Sequence, residues 1–397
     1  MATGNREETL KLLVYMPAYW PLFGGHAHHL RSRLRLLPQY GIEPWVLTPR
    51  IGNTANREIV DEVLIKRVRL PWPLSRRIFL SEAALFPEFF CNRYRYDLVS
   101  MMSASVSGYF ISKVCRRPVI RESVIGENHA GKFKQGLGGK VRRFLFRHAD
   151  FAVTVSPALE QAYLDVSWPK DRLCLIPYGV DQRVYRPPDS VEEIDRLRSE
   201  LNLPNRQSTL FLTVGAIQKR KGHLELVQAW RLLSAGVPDE HLIIIGPINE
   251  ESYYRTLLNT IEEMNLNGRV HLPGRSERIA DYMRCVDGFV FASNNEGLPI
   301  SIIEAISSGL PVVAFDLQGI LPFIIDDGKN GILIPGRDQV ALSREIRQLS
   351  SDPIRRAEMG QAARAKAVEK FSLDKEVESH AELCWTVYRD SRMSSRS

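Results

Sequence analysis

The stretch Gly288-Phe-Val-Phe-Ala-Ser293-Asn-Asn-Glu296-Gly297-Leu298-Pro299-Ile-Ser-Ile-Ile-Glu304-Ala-Ile-Ser-Ser-Gly309-Leu-Pro-Val-Val-Ala-Phe-Asp316 decides how this chain is read. Its opening apolar run has the length and composition of a buried strand. Residues 300–307 follow as a short helix that ends at Gly309, and the run 312–315 is a second strand. Strand, turn, helix and strand in that order build a parallel sheet. Pro299 suits a first helical position, where a missing N–H costs nothing. The amides of Gly297 and Leu298 then point out of a helix start, where the dipole favours an anion. Glu296 in the turn and Glu304 on the helix add two carboxylates. Such a cradle suits a polyhydroxylated, phosphorylated ligand.

The same alternation extends on both sides. Apolar runs at 209–214, 241–245 and 270–272 precede the quoted pair, and helical patterns near 223–235, 251–264 and 278–284 separate them. In the first half a strand at 10–16 leads into a loop ending Gly24-Gly25, then a helical pattern at 28–37. Further runs fall at 44–48, 64–70, 98–102, 119–122, 151–155 and 173–176. The fold class is α/β, with two Rossmann-like, doubly wound parallel sheets. Residues 1–185 form the first domain, 186–206 a linker opened by Arg186-Pro-Pro-Asp-Ser190, and 207–372 the second domain. The final segment, 373–397, holds a helix to about 389 with an apolar stripe (Val377, Ala381, Cys384, Val387, Tyr388), and its tail from 390 is expected to be disordered.

The bulk numbers agree with a two-domain protein. The chain has 397 residues, 44% of them hydrophobic and 25% charged, as in ordinary globular proteins. No apolar run reaches the roughly 18 to 20 residues that span a bilayer. The N-terminus carries acids and no hydrophobic core, so the expected location is cytoplasmic. Five scattered cysteines without a Cys-x-x-Cys pair argue against a disulfide framework and a zinc site. Residues 1–185 carry 27 Lys and Arg against 16 Asp and Glu, while the remainder is mildly acidic. The basic half points to an anionic partner, either lipid headgroups or a pyrophosphate-linked acceptor. No nucleic-acid module is visible, so nucleic acid is not expected as a partner.

A second loop carries charge. Val214-Gly215-Ala216-Ile-Gln-Lys219-Arg220-Lys221-Gly222-His223 joins a strand to a helix, with glycines bracketing three consecutive cations. A solvated basic loop has the same composition. At a strand's carboxyl end, however, the arrangement serves a diphosphate, because charge-assisted bonds to phosphate are the stronger kind.

These motifs resemble those of the retaining glycosyltransferases of family four, from Gly24-Gly25 to the last helix and most closely over residues 288–316. The resemblance implies the GT-B architecture, two facing Rossmann-like domains with an interdomain cleft. It implies a donor-pyrophosphate loop in which Lys221 stands before the second glycine, with Gly215, Lys219 and Arg220 beside it. Glu296 is similar to the glutamate near the transferring sugar, where a carboxylate stabilises positive charge at the anomeric carbon. Glu304 is similar to the glutamate that accepts from the ribose hydroxyls, and Gly297 and Leu298 to the amides at sugar or phosphate. Gly24 and Gly25 resemble the acceptor and phosphate loop.

This chain departs from the family at three places. Ala216 stands where an arginine is common, and Phe323 where a glutamate is usual. No histidine follows the strand near 120; His129 is the candidate replacement, with Glu127 and Arg121 as other polar groups. The implied activity is sugar transfer from a nucleoside diphosphate donor, UDP-linked or GDP-linked, to a glycan or lipid-linked hydroxyl acceptor. No cofactor or metal is implied, and polysaccharide or glycolipid biosynthesis is the expected setting. A sugar-nucleotide epimerase, a phosphorylase or an inactive nucleotide-binding descendant fits the same architecture. Residues 131–147, basic and aromatic, and the apolar bulk of Phe86-Pro-Glu-Phe-Phe90 read either as a peripheral contact with the inner face of a membrane or as ordinary packing.

Overall fold

A computed structural model describes residues 8–17, 19, 25–50, 52–70, 78–102, 107–123, 150–233 and 239–394. The chain forms two compact units: Met1–Tyr178 with Leu373–Ser397, and Gly179–Ser372.

The described residues of the first unit form a sheet of strands β1 (Leu10–Tyr15), β2 (Ile42–Pro49), β3 (Arg57–Val60), β4 (Val63–Val68), β5 (Leu98–Met101), β6 (Val119–Glu122), β7 (Phe151–Thr154) and β8 (Leu173–Leu175). Their order is β3-β4-β2-β1-β5-β6-β7-β8. All pair in parallel except β3, which turns back on β4 through Asp61 and Glu62, both at positive φ. β3 has no apolar signature because it is an exposed edge strand. Along β1 the side chains alternate between two cores. Leu12 and Val14 pack toward the C-terminal helix, while Leu13 and Tyr15 meet Leu85 and Phe89 of the helix Ile78–Cys91. Phe89 is therefore core, whereas Phe90 is partly exposed. Residues 131–147 lie outside the described residues.

The last helix, Leu373–Ser394, belongs to this unit and buries Val377, Ala381, Cys384 and Val387. It does not fray at 390 as expected. Arg392 pairs with Glu8, and the Tyr388 hydroxyl donates to the same carboxylate at 2.9 Å, so the helix continues to Ser394. Beneath it lies a buried polar cluster. Arg33, on the helix Gly25–Leu34, pairs with Glu122 of β6 at 2.8 Å and with Glu376 at 3.5 Å. The same guanidinium donates to His380 Nε2 at 2.7 Å, and His29 Nε2 meets Glu376 at 2.7 Å. Buried charge persists only when paired in this way.

The second unit holds β9 (Thr209–Val214), β10 (Glu240–Ile245), β11 (Val270–Gly274), β12 (Gly288–Phe291), β13 (Val312–Phe315) and β14 (Gly331–Ile334). All pair in parallel, in the order β11-β10-β9-β12-β13-β14. Chain order therefore reverses between β9 and β12, and a doubly wound sheet opens its ligand crevice at that point. Residues 186–206 are not a free linker. Their helix, Val191–Glu200, capped by Ser190, sends the buried Arg198 to the Cys285 carbonyl at 2.7 Å and to Asp287 at 2.8 Å. The boundary falls earlier than 185 as well. Val180 N–H donates to the Phe371 carbonyl at 2.8 Å, which ties that segment to the second unit.

Candidate functional site

The loops that follow β9 and β12 meet at the reversal point. After β9 the chain passes Gly215, makes a single tight turn at Lys219–Lys221, and enters the helix His223–Leu233 through Gly222. Gly222 takes φ +70° and lies on the end of β12; a Cβ there would stand 2.0 Å from the Ala292 carbonyl oxygen. Only glycine accepts both that conformation and that approach. The Arg220 carbonyl accepts from Asn294 N–H at 2.8 Å and from Ser293 Oγ at 3.1 Å, so the two loops are laced together.

Three donors converge on one oxygen. Glu296 Oε1 accepts from Lys221 Nζ at 2.7 Å, Arg220 Nη1 at 2.8 Å and Ser293 Oγ at 2.6 Å. The Glu296 side chain is 12% exposed and that of Lys221 15%, while Arg220 is 47% exposed. Burial works against ionising Glu296, but the charges of Lys221 and Arg220 outweigh it and hold its pKa below the usual value. The carboxylate is ionised and its charge is covered. Lys221 runs across Gly215, where a Cβ would stand 3.3 Å from its methylenes. Lys219 does not join the cluster: its side chain is exposed, and its backbone N–H donates to Glu250 at 3.1 Å.

Gly297 and Leu298 are buried, and neither amide has a hydrogen-bond partner among the described residues. Pro299 is the residue that caps the next helix, with ψ +102°, and the helix itself is Ile300–Ser307. Pro299 therefore stands one place ahead of the first helical position expected for it. Its ψ is extended, and the helical hydrogen bonds begin on its carbonyl. Glu304, on that helix, has a different environment. Its partner is the Tyr185 hydroxyl, and burial without a cation pushes its pKa up to about 7.

Gly25 is the first residue of the helix Gly25–Leu34. Gly24, His129 and Glu127 lie outside the described residues. Phe323 packs edge-on against Phe371, a structural contact. Sequence reading passed over Ser293, Tyr185 and Arg337. Ser293 was legible, three places before Glu296 in the same turn. Tyr185 and Arg337 lie far from the motifs in sequence. Arg337 donates to the Ala292 carbonyl at 3.0 Å, pairs with Glu225 and covers the Phe315 ring. Among the described residues, no group of three or more His, Cys, Asp or Glu is placed to hold a metal, and no helix is long and apolar enough to cross a membrane.

The chain resembles known proteins in both sequence and fold. Residues 23–184 match the family described as Glycosyltransferase Family 4, and residues 194–366 match Glycosyl transferases group 1. The chain is 33% identical over 210 residues to the D-inositol 3-phosphate glycosyltransferase of Xylanimonas cellulosilytica; the match covers 51% of this chain and about half (49%) of that relative. It is 25% identical over 265 residues to the lipopolysaccharide core biosynthesis glycosyltransferase LpsE of Rhizobium meliloti, covering 66% and 73% of the two chains. Anabaena HepE, solved with UDP and glucose, superimposes with a TM-score of 0.78 at 20% identity over 95% of this chain and 100% of its own. That likeness gives the fold, which is GT-B. By both halves of its sequence, the chain belongs to glycosyltransferase family 4.

Proposed function

We propose that the protein is a retaining, metal-independent glycosyltransferase that moves a sugar from a nucleoside diphosphate, UDP in the first instance, to a hydroxyl of a glycan or lipid-linked acceptor. One observation carries the reading: Lys221, Arg220 and Glu296 gather where the order of the second sheet reverses. Cations at that position suit the diphosphate, and the amides of Gly297 and Leu298, unpartnered among the described residues, suit its oxygens or the sugar. Glu304, with no cation partner among the described residues, suits a neutral diol such as ribose. The acceptor oxygen bonds to the anomeric carbon as the bond to the diphosphate oxygen breaks. The departing diphosphate takes the acceptor's proton, and Glu296 stabilises the positive charge that builds on the sugar. The relatives' names support a setting in glycolipid or polysaccharide assembly.

The test combines UDP-sugars and GDP-sugars with candidate acceptors, EDTA included, and reads the product's anomeric configuration by NMR. Transfer with retention, unaffected by EDTA, is expected. Lys221→Ala should weaken UDP binding by about 10-fold or more, the scale of one charge-assisted bond to phosphate. Lys219→Ala should leave it within about twofold, because that side chain lies outside the cluster. Calorimetry showing equal UDP affinity in the Lys221 variant and the native protein would remove the phosphate assignment.

A further inference from the structure

The cations proposed for the donor phosphate already have an anionic partner. Lys221 and Arg220 both donate to Glu296 Oε1, Ser293 adds a third donor, and the carboxylate is nearly buried. Arg220 Nη1 also reaches the Asn295 carbonyl at 2.9 Å, so its guanidinium is seated along the same turn. In this arrangement Glu296 offers little negative charge to any other group, and the cations offer little positive charge to a ligand. Lys221 and Arg220 keep N–H groups beyond those given to Glu296, but their positive charge is already neutralised there, so a carboxylate and a diphosphate seated together compete for the same two counter-charges.

We infer that Glu296 competes with the donor's diphosphate for Lys221 and Arg220, so that donor binding itself uncovers the Glu296 carboxylate. This rests on the reading of the site as a diphosphate site and adds to it a role for Glu296 in the empty enzyme. Before the donor arrives, Glu296 stands in for the phosphate and keeps the cations neutralised. When the diphosphate draws the two cations toward itself, the carboxylate loses its counter-charges. Its field then falls on the carbon that is becoming positive, and only while a donor is bound. A different role would use the same contacts, with Glu296 as a strut that holds the cations ready for phosphate. The two roles differ in sign.

The experiment is calorimetric titration of pyrophosphate, and separately of UDP, into the native protein and Glu296→Gln, with thermal melting to establish that the variant is folded. Competition predicts that the glutamine variant binds pyrophosphate at least about fivefold more tightly, since an amide is a weaker acceptor than a carboxylate for the same cations. Weaker or equal binding overturns the competition and leaves Glu296 as a strut. A variant carrying Lys221→Gln and Arg220→Gln provides the control. Adding Glu296→Gln to it should change pyrophosphate affinity by less than about twofold, because neither cation that Glu296 contacts remains. A gain that persists there would be general repulsion between carboxylate and phosphate, and would also overturn the inference. If the native protein binds neither pyrophosphate nor UDP, the diphosphate reading fails along with the competition. If it binds both and Glu296→Gln gains nothing, only the competition fails.

Discussion

Glu304 has a raised pKa because desolvation of its carboxyl outweighs the hydrogen bond from the Tyr185 hydroxyl, with no cation beside it among the described residues. Folding lifts it from the ordinary 4.5 to about 7, so the native state binds a proton there that the unfolded chain has released. The stability this contributes is complete below pH 4.5 and is lost as pH rises through about 7. Above that, the folded protein holds an ionised carboxylate in a desolvated position. Glu304→Gln removes the titration while keeping the shape and an acceptor for Tyr185. Denaturant unfolding at pH 8 should therefore find this variant more stable than the native protein by on the order of 2 kcal/mol, with the advantage fading toward pH 4.5. An equal difference at both pH values would mean that burial does not hold the proton on Glu304. In the same variant, donor affinity should fall if Glu304 holds the donor as proposed, since an amide is a weaker acceptor than a carboxylate for a sugar's hydroxyls.

At the scale of elements, the junction between the β9 and β12 loops is fixed by a close backbone approach. Gly222→Ala would place a methyl carbon 2.0 Å from the Ala292 oxygen at φ +70°, so the loops must part. A loss of about 2 kcal/mol or more is expected in denaturant unfolding, together with weaker pyrophosphate binding, because the turn holding Arg220 and Lys221 moves with it. Unchanged affinity in a destabilised variant would show that the cations are positioned independently of this contact. The parts of the site carried by one loop or one strand–helix turn were legible in the sequence. The Gly215–Gly222 run, Glu296 and Glu304 all sit on elements whose apolar spacing is plain. Contacts made by distant segments were not. Tyr185 reaches Glu304 from a stretch without periodicity, and Arg337 reaches Ala292 from beyond β14. Local geometry also outran composition at Pro299, whose φ of −74° suits a cap as well as a first helical residue.

For the molecule as a whole, alternating apolar runs made two parallel sheets legible, because strands buried on both faces read as continuous apolar segments. The limits of the units were less so. Arg198 looks like one charge on a polar helix, yet its buried bonds draw residues 186–206 into the second unit. The first unit is discontinuous, and its closing helix is held by the polar cluster beneath it as well as by its apolar stripe. Arginine only donates, so His380 Nε2 must accept from Arg33 and the ring must be neutral. Burial, reinforced by Arg33, depresses the His380 pKa from 6.5 to about 4, while Glu122 and Glu376 oppose the shift. His29, Ser100, Tyr178 and Cys384 face the same cluster. A depressed histidine pKa means that the unfolded chain binds the proton first. Stability is therefore lost as pH falls from 6.5 toward 4, and between pH 7 and pH 5 this group costs on the order of 2 kcal/mol. Glu122, held at about 2 because Arg33 outweighs its burial, adds its loss below pH 4.5. His380→Gln keeps an acceptor for Arg33 and cannot titrate. Hydrogen exchange of the amides in Leu373–Ser394 should accelerate between pH 7 and pH 5 in the native protein, after correction for intrinsic rates, and should do so less in the glutamine variant. Parallel pH profiles for the two proteins would place the acid sensitivity of this helix elsewhere in the cluster.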